Sequence, residues 1–326
     1  MLHFNNYGYR FTLLTILLWP LSLFFRFVVF IRRLFYRYHI KQTIHFSVPV
    51  IVVGNITMGG TGKTPLVIYL AHYLKQQGWV PGIVSRGVGG VQEGEALWVD
   101  RDSDPHIVGD EALLLAMETD CPVVICKDRI KAVQSLLANA HCTVILSDDG
   151  LQHYRLGRDI EIAVIDGVRQ FGNRCLLPAG PLREPMSRLK TVDIVIQNGG
   201  APHPNRYHMT LQMHDCISLH DERKKTSLEQ FRGERVHAVA GIGNPSRFFE
   251  DLRAKGIIVV EHAFPDHYAY VDTDFHFSEE LPILMTEKDA VKCRVFADAR
   301  FWCVPVTALL DTEMTDYLMK KLDRND

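Results

Sequence analysis

Val50-Ile51-Val52-Val53-Gly54-Asn55 leads through Ile56-Thr57-Met58 into Gly59-Gly60-Thr61-Gly62-Lys63-Thr64-Pro65. A short, branched apolar run that breaks into clustered glycines and then Lys-Thr predicts a strand, a phosphate loop and a helix. Glycines without a Cβ let successive backbone N–H groups turn onto an anion. Lys63 reaches the β- and γ-phosphates, and the Thr64 hydroxyl suits a Mg²⁺ ion. The segment Gly59, Gly60, Thr61, Gly62, Lys63, Thr64 is therefore the expected nucleotide triphosphate grip. Pro65 fits a first helical turn, Leu66, Leu70 and Leu74 form one apolar stripe, and Gly78 follows where a C-terminal cap belongs. The strict spacing G-x-x-x-x-G-K-[ST] asks for glycine at position 57, where this chain has Thr57, so the loop is a variant.

Outward from that loop, apolar runs recur at 83–85, 123–126, 144–146, 162–165 and 194–196, separated by helical stretches. Runs that are hydrophobic on both faces predict a mostly parallel sheet covered by helices, an α/β architecture of the P-loop NTPase kind that binds ligands beyond the carboxyl ends of its strands. Several polar clusters follow those ends. Ser85-Arg86-Gly87-Val88-Gly89-Gly90 is a glycine-rich turn in which Arg86 would face the phosphate loop; a plain surface turn is the alternative. Gly109-Asp110-Glu111 precedes an apolar helix, where an acidic residue also serves the helix dipole. Val144-Ile145-Leu146-Ser147-Asp148-Asp149-Gly150-Leu151-Gln152-His153 ends a strand in two carboxylates, a magnesium arm that with Thr64 would complete a nucleotide site. Leu176 to Pro185 is too rich in proline and glycine for a helix or central strand, and reads as an ordered loop carrying Arg183.

A polar stretch around 221–235 marks the passage into a second, smaller α/β body with strands at 236–240, 257–260, 283–285 and 302–306. The expected division is a membrane-associated helix over 1–42, a P-loop domain over 43–214 and a C-terminal domain over 215–326. The loops of the last carry Gly241-Ile242-Gly243-Asn244, Asp266-His267 and Thr286-Glu287-Lys288-Asp289. An imidazole beside a strand end can enter an interdomain cleft, although a lone loop histidine is more often structural.

The compositional outlier lies near the N-terminus. Residues 11–25 are uncharged, Arg26 interrupts, residues 27–31 resume, and Arg32, Arg33, Arg37 and Lys41 follow. The segment is about the 20 residues needed to span a hydrocarbon core, but Pro20 and Arg26 make an interfacial helix the rival. A secretory signal would place its basic residues before the apolar run, and a buried first helix is the soluble alternative. The arginines on the C-terminal side put the catalytic body on the cytoplasmic face. With 326 residues, 47% hydrophobic and 23% charged, and a formal charge of −2, the chain offers no basic, aromatic-interleaved surface for nucleic acid. Its seven scattered cysteines form no C-x-x-C pair, which indicates neither a disulfide framework nor a zinc site.

Taken together, GNITMGGTGKTP, SRGVGG, GDEALLLA, DDGLQH, LLPAGPLREP, AGIGNPSRFF, FPDHYAY and TEKDAVK, in that order over nearly the whole chain, resemble the tetraacyldisaccharide 4'-kinase family. Val88 stands where an aromatic is expected and Ala112 where proline is more frequent; neither touches a polar group. The resemblance implies an enzyme of the bacterial inner membrane that uses ATP and Mg²⁺ to phosphorylate the 4'-hydroxyl of an acylated glucosamine disaccharide 1-phosphate in lipid A biosynthesis. It implies Asp110 as base with His267 as partner across the cleft, and Asp148 and Asp149 as the residues serving magnesium. Arg86, Glu111, Gln152, His153 and Arg183 are the candidate substrate contacts. The runner-up is a membrane-recruited ATPase of the partitioning type, which carries a lysine just before the Gly-Gly pair where this chain has Met58.

Overall fold

The computed structural model describes residue 8, residues 10–88, residue 90 and residues 94–323; Gly89 of the glycine-rich turn lies outside them. Helix α1 (Leu13–Arg37) starts on a capping box in which Thr12 and Thr15 exchange side-chain and backbone hydrogen bonds, and it continues through Pro20. Of its residues only Thr15 and Ser22 are buried. Ser22 Oγ donates to the Leu176 carbonyl at 2.8 Å, Phe25 packs against a small cluster around Ile56 and Leu182, and Tyr36 meets Tyr154. Leu13, Leu17, Phe24 and Phe27 point away from the body and are exposed.

Next come β1 (Val50–Gly54), α2 (Lys63–Gln76), β2 (Pro81–Ser85), β3 (Leu97–Val99), α3 (Pro105–Val108), α4 (Asp110–Thr119), β4 (Val123–Ile125), α5 (Arg129–Asn139), β5 (Val144–Ser147), β6 (Ile160–Asp166), β7 (Ile194–Asn198) and β8 (Tyr207–Met213). The strands β8-β7-β6-β1-β5-β2-β4 form a parallel sheet, with β3 antiparallel at one edge. Every residue of β1, β2 and β5 is buried. The two-residue period of a strand sends Ile51 and Val53 to the α2 face, with Leu66, Leu70 and Leu74, and Val50 and Val52 to the opposite face, with Val133 and Leu136 of α5. Because the chain passes from β5 to β6 over the already placed β1, the carboxyl end of β1 is a topological switch point, the place where such sheets bind ligands.

The second sheet contains β9 (Cys216–Ser218), β10 (Lys225–Thr226), β11 (Arg235–Ala240), β12 (Ile258–Ala263), β13 (Ile283–Thr286) and β14 (Phe301–Val304), ordered β10-β9-β14-β13-β11-β12. Helix α6 (Pro245–Ala254) follows β11, and α7 (Glu287–Cys293) follows β13. The expected single strand at 302–306 is two: Val304 ends β14, and beyond Pro305 the strand β15 (Val306–Leu310) pairs antiparallel with β8 of the first sheet. Helix α8 (Thr312–Leu322) then buries Met314, Leu318 and Leu322 in the first core. The second body is thus an insertion between β8 and β15, and the unit expected over 215–326 is corrected to the stretch from β9 to β14. The reason is packing: β8 needs an edge partner, and the core beside α2 needs the apolar face of α8.

Candidate active site

Between β1 and α2 the phosphate loop is held from inside. The buried Asn55 donates through Nδ2 to the Gly59 carbonyl at 3.3 Å and to Thr61 Oγ1 at 3.4 Å, and Asn198 at the end of β7 donates to the Thr61 carbonyl at 3.0 Å. Gly62 caps α2 at φ +91°, and a Cβ there would lie 2.2 Å from Asn198 Nδ2, so only glycine fits. The helix N-terminus behind it supplies the partial positive charge that phosphate binding uses. Arg169 ties this loop to the second body: it pairs with Asp166 at 2.7 Å and donates to the carbonyls of Gly243 and Gly60. The two loops touch so closely that a Cβ on Gly243 would lie 2.0 Å from the Gly60 nitrogen. Gly243→Ala is therefore expected to push the bodies apart. Overpacking costs about 1–3 kcal/mol, and nucleotide affinity measured by calorimetry should fall roughly 10-fold or more.

The paired aspartates after β5 have different surroundings. Asp149, at φ +47°, lies 3.5 Å from Lys63 Nζ and 3.1 Å from Arg183 Nη1. Burial pushes its carboxyl up, but Lys63 and Arg183 outweigh it and hold the group well below the usual carboxylate range. Asp148 is fully buried, neither of its carboxylate oxygens has a hydrogen-bond partner among the described residues, and burial with the nearby Glu111 carboxylate pushes it up to about 7. Two orphaned acceptor oxygens beside a phosphate loop fit a divalent cation. Among the described residues no group of three His, Cys, Asp or Glu side chains is arranged to hold a metal ion, so such an ion would lean on Asp148, the Thr64 hydroxyl and phosphate oxygens rather than on a protein cage.

Of the candidate substrate residues, Gln152 donates to the Asn55 carbonyl at 2.9 Å and to Glu184 at 2.8 Å, which fixes the turn after Asp149. Burial and Arg129 press His153 down to about 4, so it is neutral. Arg183 is engaged with Asp149, and Arg86 is exposed.

At the other side of the cleft, Asp110 opens α4 behind Gly109 and accepts the Glu111 backbone N–H at 2.8 Å. His267, in a loop of the second body and strained to φ +60°, places Nδ1 2.9 Å from Asp110 Oδ1 and 3.2 Å from Oδ2. Asp110 is 3% exposed and His267 23%, so the imidazole is the more accessible side of the pair. Burial favours the neutral form of each. The mutual hydrogen bond outweighs it, with help from Lys288 on Asp110, so that Asp110 is lowered and His267 raised. Lys288 Nζ joins Glu111 and Asp266, each at 2.9 Å. A cleft of roughly 1080 Å³, including its open mouth, runs from the phosphate loop past Glu111 and Lys288 to Asn244, Arg247 and Phe248. Sequence reading assigned no role to Asn55, Arg169, Asn198 or Lys288; TEKDAVK was the one local signal for the last.

A phosphate grip at a sheet switch point, together with a carboxylate–imidazole pair that joins the two bodies meeting at that loop, defines a P-loop phosphotransferase. The profile of the tetraacyldisaccharide-1-P 4'-kinase family matches residues 14–323. The chain is 52% identical over 294 residues to the tetraacyldisaccharide 4'-kinase of Nitrosococcus oceani, covering 90% of this chain and 86% of that one. It is 48% identical over 310 residues to that of Methylobacillus flagellatus, covering 95% and 92%. The structure of LpxK from Aquifex aeolicus in complex with ATP superposes with a TM-score of 0.78 at 27% identity, over 95% of this chain and 100% of that one. The chain belongs to the tetraacyldisaccharide 4'-kinase family, the lipid kinases of lipid A biosynthesis.

Proposed function

We propose that this chain transfers the γ-phosphoryl group of ATP to the 4'-hydroxyl of a tetraacylated glucosamine disaccharide 1-phosphate, with Asp110 and His267 acting as one proton-accepting unit. The observation that carries the reading is that this pair is already joined by a 2.9 Å hydrogen bond across the bodies that also meet at the phosphate loop. The acceptor oxygen attacks the γ-phosphorus, the bond to the β-phosphate oxygen breaks, ADP leaves, and the hydroxyl proton passes to the pair. The phosphate-loop N–H groups and Lys63 hold the phosphates in line. A Mg²⁺ ion, for which Asp148 and Thr64 fit, would neutralise phosphate charge when bound. Gln152, His153, Arg86, Arg183 and Glu111 are proposed to face the acceptor: Glu111 lines the cleft, Gln152 and His153 follow the aspartates after β5, and Arg183 pairs with Asp149. Incubation with γ-labelled ATP and detergent-solubilised acylated disaccharide tests the reading; label in the lipid is expected, and hydrolysis without labelled lipid would favour the partitioning-type ATPase. That second class is disfavoured by Met58, which is 48% exposed where the bridging lysine would stand.

The acceptor's acyl chains belong in a bilayer, and α1 is long and apolar enough to cross one. We propose that it lies in the interface instead, on the cytoplasmic face of the inner membrane. Contacts at Ser22, Phe25, Arg32 and Tyr36 clamp it to the body, and only Leu13 to Leu21 of the helix lies ahead of that seam, short of the roughly 20 residues a span requires. Deleting α1 would also uncover the cluster around Ile56, so outward-facing point changes are the cleaner test. Replacing both Phe24 and Phe27 with glutamate removes about 2–4 kcal/mol of apolar insertion. Vesicle binding by cosedimentation should drop roughly 30-fold or more, with ATP affinity and Tm unchanged.

A further inference from the structure

We infer that Lys292 is a positioning residue for the Asp110–His267 pair, fixing Asp110 from behind through a buried Asp110–Lys292–Asp289 chain anchored on the loop that seats against the phosphate loop. The inference rests on the proposed role of the pair. Lys292, in the last turn of α7, buries an ammonium that is 6% exposed, 3.4 Å from Asp110 Oδ2 and 3.2 Å from Asp289 Oδ1, and 4.8 Å above the Tyr270 ring. Lysine is almost never buried to this depth without partners, because desolvating an ammonium is costly.

The two carboxylates do not need the cation equally. Asp289, fully buried, already accepts from the Gly241 N–H at 3.0 Å, the Tyr270 hydroxyl at 3.0 Å and the Thr286 hydroxyl at 2.6 Å. Among the described residues Asp110 Oδ2 has only the longer, 3.2 Å arm of the His267 contact besides Lys292. Among the described residues the Lys292 ammonium has no hydrogen-bond partner of normal geometry, so it acts as a shared charge rather than as a bonded strut. Gly241 begins the loop whose Gly243 abuts Gly60, so the chain of contacts runs from the phosphate loop to the base without leaving the protein. A plain interdomain ion pair would tie the bodies equally well from the surface; this one ends on the group that takes the proton.

The charges facing the pair are Lys288, Lys292, Glu111 and Asp266, and those facing Lys292 are Asp110 and Asp289, with the Tyr270 and Cys293 protons held by burial. Removing the Lys292 cation lets the pair hold its proton more tightly, so the acid limb of the kcat–pH profile must move to higher pH. In Asp289→Asn the cation is left wholly to Asp110, and the limb must move to lower pH.

The experiment measures kcat, KM for ATP and the kcat–pH profile of wild type, Asp110→Asn, His267→Ala, Lys292→Met, Lys292→Arg and Asp289→Asn, each checked by Tm and ATP affinity. Lys292→Met is expected to lose roughly 10- to 30-fold in kcat at pH 7 with KM for ATP within two-fold, Lys292→Arg to recover most of the rate, and the two limb shifts to have opposite signs. If Asp110→Asn and His267→Ala match wild type, the reading of the pair fails. If those two are crippled but the limb stays put in whichever of Lys292→Met and Asp289→Asn folds, the inference alone is overturned. Failure of both to fold would assign the chain of charges to stability and overturn it too.

Discussion

Lys63→Ala is expected to abolish phosphoryl transfer, lowering kcat by on the order of 10²–10³-fold or more, the loss typical of removing one preorganised charge-stabilising donor. Lys63 opens α2 at the end of the phosphate loop, and its partner Asp149 keeps Arg183 at 3.1 Å when the lysine is gone. Asp149 therefore keeps a cation partner, so Tm should hold. Initial rates with labelled ATP and circular dichroism on the same preparation are the check. A variant within a few-fold of wild type would remove the loop from the chemistry.

Asp110→Asn and His267→Ala should each lose about 10²–10⁴-fold in turnover, the usual range for a general base. The double variant should lose no more than either single one, because residues that act as a unit are strongly non-additive. The two side chains are in direct hydrogen-bond contact, as a unit requires. The pH dependence follows from the same contact. Burial opposes the imidazolium, but the Asp110 carboxylate outweighs it and holds His267 above its ordinary value. The proton-accepting form therefore accumulates only as pH rises through that raised value, and activity should climb on that limb. In Asp110→Asn the anion is gone and the residual activity should show its limb at lower pH. Losses that multiply in the double variant would separate the two residues' roles.

The local pattern carried the core of the catalytic body. Branched apolar runs that can be buried on both faces have few homes other than a parallel sheet, and the glycines before Lys63 sit where the backbone must bend around an anion, so strand, loop and helix were legible from residues 50–78 alone. The paired aspartates after β5 and the greasy, arginine-flanked first helix were legible for the same reason: each depends on near neighbours in the chain.

What the chain did not announce locally is what depends on sheet order and on packing between bodies. Val304 and Val306 look like one apolar strand, yet Pro305 divides them between two sheets, because β8 lacked an edge partner and α8 had a core to fill. Asp148 and Asp149 are identical letters; burial beside Glu111 leaves one without partners, while Lys63 and Arg183 claim the other. Asp110 meets His267 across 157 residues, and Lys292 reaches Asp110 from behind, only because an inserted second sheet returns its loops to the switch point of the first. Hydrophobic periodicity reports whether a residue is buried, whereas which charges share a cavity is set by the order in which buried strands stack.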